Sequence, residues 1–182
     1  MLAFFVMQLD IIYLILLLVF TLLAVPIGSF SGKMQRVTLW AGKKIAPFGM
    51  DSEVPRGFQD AITPKIQDRL NTFFPVLLLL VLIVGSLRAW YLGIVAVIAI
   101  LVLVVIVQKF LPNKISFYLK IIIHYMDNRI ADYAKQGDTM RSDAAKEMSE
   151  KLHNLYFNIK DRNLEIPDFK EIKSMPVGGS ED

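Results

Sequence analysis

Two pairs of side chains in the C-terminal half of the sequence have the types and spacing that metal chemistry uses. His124-x-x-Asp127 and Glu150-x-x-His153 each set an imidazole and a carboxylate three residues apart, which on a helix puts both on one face. A chain reversal near Gly137 would bring the pairs opposite each other, and Glu-x-x-His on facing helices recurs in bundle metal sites. Di-iron sites of that type take more carboxylates, drawn from four helices. Neither pair lies on the apolar stripes that should form the helix seam. The four residues therefore read first as polar groups on a solvated face, and no metal or other cofactor is expected.

Other chemistry is sparse. Asp10 precedes the first apolar run, with Gln8 and Tyr13 near it. An acid inside a bilayer is a functional group by default, but the run can be drawn to begin at Ile11, which leaves Asp10 at the outer interface. The absence of cysteine removes disulfides, thiolate nucleophiles and cysteine-based metal sites. No nucleophile signature is found, and Gly178-Gly179 is a near-terminal pair rather than a phosphate loop. An enzyme is not expected.

The elements that would carry these residues are set by hydropathy. Of 182 residues 54% are hydrophobic, and they gather into three blocks from which charge is nearly excluded. Ile11–Gly32 carries no charge and exceeds the roughly 20 residues a bilayer-spanning helix needs. A signal peptide with Ser29-Phe30-Ser31 as its cleavage site is the competing reading, opposed by the lack of Lys or Arg at the N-terminus. The second and third blocks, 71–87 and 89–108, are separated by Arg88. One helix through both would bury that charge in lipid, so a turn at 85–88 is predicted. Trp90 and Tyr91 then fall at headgroup level. Thr63-Pro64 marks a helix start, and Pro75 should bend the first arm. A re-entrant arrangement of one or both arms stays open.

The expected fold is all-α: three transmembrane helices, the second and third as a tight hairpin, plus a cytoplasmic amphipathic helical hairpin. Its parts are an N-terminal anchor over 1–32, a basic cytoplasmic loop over 33–63, the membrane hairpin over 64–108, a cytoplasmic helical hairpin over 109–159 and an extended charged tail over 160–182. Lys33, Arg36, Lys43 and Lys44 follow the first span. Arg56, Lys65 and Arg69 precede the hairpin, and Lys109, Lys114 and Lys120 follow it. Basic residues stay cytoplasmic, which predicts the N-terminus outside and both 33–70 and the C-terminal region inside. Gly42, Pro47, Gly49 and Pro55 argue against a long helix in the loop. Its Trp40, Lys43 and Lys44 suit anionic lipid headgroups. Asp10, Arg88, Trp90 and Tyr91 complete the expected membrane-interface set.

Beyond Pro112-Asn113, Ile115, Leu119, Ile122, Met126, Ile130 and Tyr133 draw one apolar stripe. After Gly137-Asp138, with Asp138 or Thr139 as cap, Met140, Ala144, Met148, Leu152, Leu155 and Ile159 draw another. Two helices bury little alone, so a partner surface, another copy or the 33–62 segment should cover the rest. Ile122, Met126, Ile130, Met148, Leu152 and Phe169 are the predicted partner-binding residues. The tail is read as an arm ordered only by docking.

In layout, one N-out span, a cytoplasmic stretch, a tight hairpin and a cytoplasmic helix resemble the TolQ/ExbB-type proton-channel subunits. That resemblance implies a homo-oligomeric ion-conducting or force-transmitting unit. The residues themselves favour a non-catalytic structural, assembly or accessory subunit of a membrane complex. Its partners would be other membrane subunits and anionic headgroups, with self-association left open. Net charge of +3, from 20 basic and 17 acidic residues, is too balanced for nucleic acid.

Overall fold

The computed structural model describes the backbone of residues 2–46 and 61–177, and the side chains of those residues from 11 onward. Within these limits the chain is all-α. Helix α1 runs Leu2–Ile45, α2 Lys65–Ser86, α3 Trp90–Phe110, α4 Ile115–Lys135, α5 Thr139–Ile159 and α6 Phe169–Ser174. Helices α1, α2 and α3 are each long and apolar enough to cross a membrane. The chain divides into two compact units, one of residues 1–31 and 69–111, the other of 32–68 and 112–182.

The first unit joins the beginning of α1 to most of α2 and all of α3. Its buried core is small: Ala24 and Val25 from α1, Leu77 and Val81 from α2, Ile100 and Val104 from α3. Leu17, Phe20, Phe74 and Val97 pack around it, partly buried. Pro75 lies inside α2, which continues through it to Ser86. The reversal between α2 and α3 occupies residues 87–89, as the charge of Arg88 predicts. It is tight because two glycines meet in it: a Cβ on Gly85 would strike the backbone of Gly93, and one on Gly93 would strike the Leu82 carbonyl.

The second unit corrects the expected loop. Rather than giving way to irregular chain at residue 33, α1 stays helical to Ile45. Met34, Val37, Thr38, Ala41 and Ile45 repeat at three- and four-residue steps, and all are buried. Gly42 costs a helix about 1 kcal/mol, too little to break one whose face is covered. The helix ends where Pro47 disfavours helical geometry in the residue before it. Pro47, Gly49 and Pro55 themselves lie outside the described residues.

The rest of this unit is α4 and α5, packed on each other, and the tail, bonded to α1. From α4, Ile115, Tyr118, Leu119, Ile122, Ile123 and Met126 are buried. The link to α5 is a Schellman closure. Gly137 takes φ +72°, and its N–H and that of Asp138 donate to the carbonyls of Ala134 (3.2 Å) and Tyr133 (3.1 Å). The Asp138 carboxylate then caps α5 by accepting from the Arg141 N–H at 3.1 Å. The buried face of α5 keeps Leu152 and Ile159 of the predicted stripe but departs from it over the first half of the helix. It runs through Ser142, Ala145, Ser149, Leu152 and Ile159, while Met140 is 85% exposed and Ala144 is exposed as well. Small side chains let the two backbones approach closely.

The tail also departs from a featureless arm. Residues 164–166 pair with 113–115 through an isolated bridge, with Ile115 N–H donating to Leu164 O and Ile166 N–H to Asn113 O, both at 3.1 Å. Asp168 and Glu171 form a capping box that starts α6. Ile166 and Ile172 are buried, so these two tail residues find their docking surface on their own chain.

Candidate functional site

The His/acid residues occupy the outer faces of α4 and α5. Asp127 and His153 meet at Ser149 between them. The Ser149 hydroxyl donates to the Asp127 carboxylate at 2.7 Å, and His153 Nδ1 lies 3.0 Å from the Ser149 carbonyl, to which it donates. His124 Nε2 is 3.2 Å from the Asn128 amide nitrogen on its own helix. Glu150 stays exposed beside His153 along an open surface groove of about 460 Å³. Among the described residues no three His, Asp or Glu converge as metal ligands. The order of the three joined groups differs from a nucleophile relay: the serine hydroxyl donates to the carboxylate, while His153 Nδ1, 3.4 Å from the same hydroxyl oxygen, also bonds the backbone.

Where the chain does concentrate polar contacts is the second half of α1. Lys33, Arg36, Trp40 and Lys43 recur at steps of three and four and so share one side of the helix. Lys43 Nζ donates to the carbonyls of Lys173 (2.8 Å) and Met175 (2.9 Å), which are left open at the C-terminal end of α6. Arg36 pairs with Asp168 at 3.3 Å, and Lys33 Nζ donates to Pro112 O at 3.2 Å. Thr38 donates to the Gln67 side-chain oxygen at 3.0 Å, both groups buried. Lys43 meets the carbonyl end of a helix, where a cation is favoured. Trp40 and Lys43, expected among lipid headgroups, are only 3% and 8% exposed. They are covered by protein because the helix that carries them is the centre of this unit.

Beside this contact, burial pushes the Tyr118 phenol above its ordinary pKa, with Arg36 acting in the opposite direction. Burial raises Tyr125 likewise, opposed by Arg129. Arg129 is fixed from several sides: Nε donates to Tyr133 Oη and Nη1 to Ala61 O, each at 2.7 Å, and its carbon stands 5.4 Å from the Tyr133 ring centroid. A groove of about 220 Å³ beside it also takes in Arg141 and Met148. Arg141 is paired with Asp138 at 3.4 Å.

In the first unit the polar groups of the spans serve packing. Ser29 is fully buried, its Oγ 2.7 Å from Val25 O and 3.1 Å from Val104 O, so one proton serves α1 and ties it to α3. Ser31 donates to the Asn71 side-chain oxygen. Tyr13 donates to Gly85 O at 3.4 Å. Between Gly93 and Val107 the third span has no polar side chain.

Of the predicted partner-binding residues, Ile122, Met126 and Leu152 are at most 1% exposed and belong to the core of this chain. Ile130 and Met148 are partly covered, and Phe169 is exposed. Arg88, Trp90 and Tyr91 are exposed at the α2–α3 turn, the two rings edge to face at 6.0 Å. Lys44 is partly covered. Asp10 lies in α1, with its side chain outside the description. The clasp between Lys43 and the tail escaped sequence reasoning, although Asp168-Phe-Lys-Glu171 after Pro167 is a readable capping-box signature. No protein-family model, curated protein or solved structure matches this chain.

Proposed function

We propose that this protein is a non-catalytic structural, assembly or accessory subunit of a larger membrane complex. The observation that carries the reading is how little of the three spans is used internally. In α3 only Gly93, Ile100 and Val104 are buried, while Ile94, Val95, Ile98, Val102 and Val105 present apolar surface. Such faces suit lipid or neighbouring spans, and the polar groups between the helices are committed to holding helix to helix. Transmembrane association relies on packing and a few interhelical hydrogen bonds, and the outer faces leave ample area for it. The orientation that fits the basic residues is N-terminus outside, with the second unit cytoplasmic.

Purification of the tagged protein from its native membrane in mild detergent, with mass spectrometry of what remains bound, tests this. Stoichiometric recovery of foreign membrane subunits is the expected result. Recovery of its own copies alone, in one discrete ring, would overturn it in favour of a homo-oligomeric ion-conducting or force-transmitting unit.

A further inference from the structure

Exposed large apolar residues are unevenly placed in the second unit. Among its described residues they are Ile66, Phe117, Met140, Phe157 and Phe169. Ile66, Phe117 and Phe169 lie within a few residues of the points where the chain enters and leaves the unit, or of the segment paired to them, and Phe157 lies in the last turn of α5. Phe117 is in the first turn of α4, and Ile66 is two residues from Asp68, where the chain leaves the unit. Phe157 is two residues before Ile159, the end of α5. Phe169 follows the 164–166 segment that pairs with 113–115. Met140 sits at the far end of α5, about 28 Å away at 1.5 Å per residue.

The charge at this end is as selective. Glu165 accepts from the Asn113 amide at 3.2 Å, and Asp168 is spent on Arg36 at 3.3 Å. Lys114 and Lys160 are exposed there, and Lys160 Nζ stands 5.0 Å from the Phe157 ring centroid. Aromatic rings stand beside lysine at these positions, with the exposed Asp161 next to Lys160, a combination that suits an apolar layer bearing anionic groups. Four residues separate Phe110, the last of α3, from Ile115, a reach of at most about 18 Å. The link from α3 into this unit is therefore short.

We infer that Phe117, Phe157 and Phe169, with Lys114 and Lys160, form a membrane-contact surface whose partner is the anionic headgroup layer. It is distinct from the basic side of α1, which the tail covers. The inference rests on membrane insertion and stands apart from the subunit reading, which the detergent experiment tests without lipid.

The test uses the absence of cysteine. Phe117→Cys, Phe157→Cys, Phe169→Cys and, as a control, Met140→Cys are made singly in the full chain and labelled with an environment-sensitive fluorophore. They are placed in nanodiscs of phosphatidylcholine with or without phosphatidylglycerol, and quenching by lipids bearing a nitroxide near the headgroup is measured. Quenching at the three phenylalanine positions should exceed that at Met140 several-fold and rise with phosphatidylglycerol. Adding Lys114→Glu and Lys160→Glu should abolish that rise. Quenching at all three positions no stronger than at Met140, in both lipid mixtures, would overturn the inference. Because each position is read separately and is exposed, failure of one variant to fold leaves two that decide.

Discussion

Lys43 Nζ donates a 2.8 Å hydrogen bond to the backbone carbonyl of Lys173, 130 residues further along the chain. With Met175 O accepting from the same ammonium at 2.9 Å, one cation closes the end of α6 onto α1. Charge-assisted hydrogen bonds of this kind contribute about 1.5–3 kcal/mol. Lys43→Met keeps the aliphatic stem and removes the donor. Hydrogen exchange at residues 169–175 should then accelerate by one to two orders of magnitude while exchange in α3 is unchanged.

The approach of Gly85 to Gly93 sets the second prediction. Gly93→Ala places a methyl against the Leu82 carbonyl and Ser86, backbone that cannot yield without separating the arms. Overpacking costs about 1–3 kcal/mol. Thermal unfolding in detergent should shift down by several degrees. Val95→Ala, at an exposed site on the same helix, should have little effect.

The separation of His124 and Glu150 from the Asp127–Ser149–His153 contact sets the third. Chelation and added divalent metal should leave the unfolding temperature unchanged, and His124→Ala should fall within about 0.5 kcal/mol of the parent. Ser149→Ala should cost about 0.5–1.5 kcal/mol, the net value of a hydrogen bond. A metal-dependent rise in unfolding temperature that His153→Ala removed would refute this.

The buried phenols set the fourth. Tyr118 and Tyr125 have pKa values raised by burial, so the folded state holds their protons more tightly than the unfolded chain. The stability they contribute is complete below the unfolded phenol value of about 10, and it is lost as pH rises through the folded values. An alkaline absorbance titration should show their ionisation above the ordinary phenol range, coinciding with loss of structure in the second unit. Tyr118→Phe should delete part of that late phase.

The sequence carried the spans and the turn at Arg88 because charge exclusion and aromatic placement follow from the bilayer itself. The α4–α5 reversal was equally legible in Gly137-Asp138. Two features were not. Gly42 and the prolines beyond it weighed against helix in 33–45, yet tertiary burial of Met34, Val37 and Trp40 overrides a local cost of that size. Hydrophobicity draws the α5 seam through Met140, Ala144, Met148, Leu152, Leu155 and Ile159; Leu152 and Ile159 are buried, whereas earlier in the helix Ser142, Ala145 and Ser149 take the seam by size. Of the candidate residues, Trp40 and Lys43 were singled out for their types, but their environment depends on a tail contact that no local pattern reveals.

The clasp on α1 also orders events during synthesis. The second unit is assembled from residues 32–68 and 112–182, with two spans made between its first and last pieces. At about 5–20 residues per second, the interval between Lys43 and Met175 is on the order of 10 seconds. Throughout it, Met34, Val37, Trp40 and Lys43 await the surfaces that will cover them. A chain released before residue 173 can never cover Lys43 with the carbonyls that complement it. Such a fragment should insert its spans normally and still be marked for degradation by an unfinished second unit.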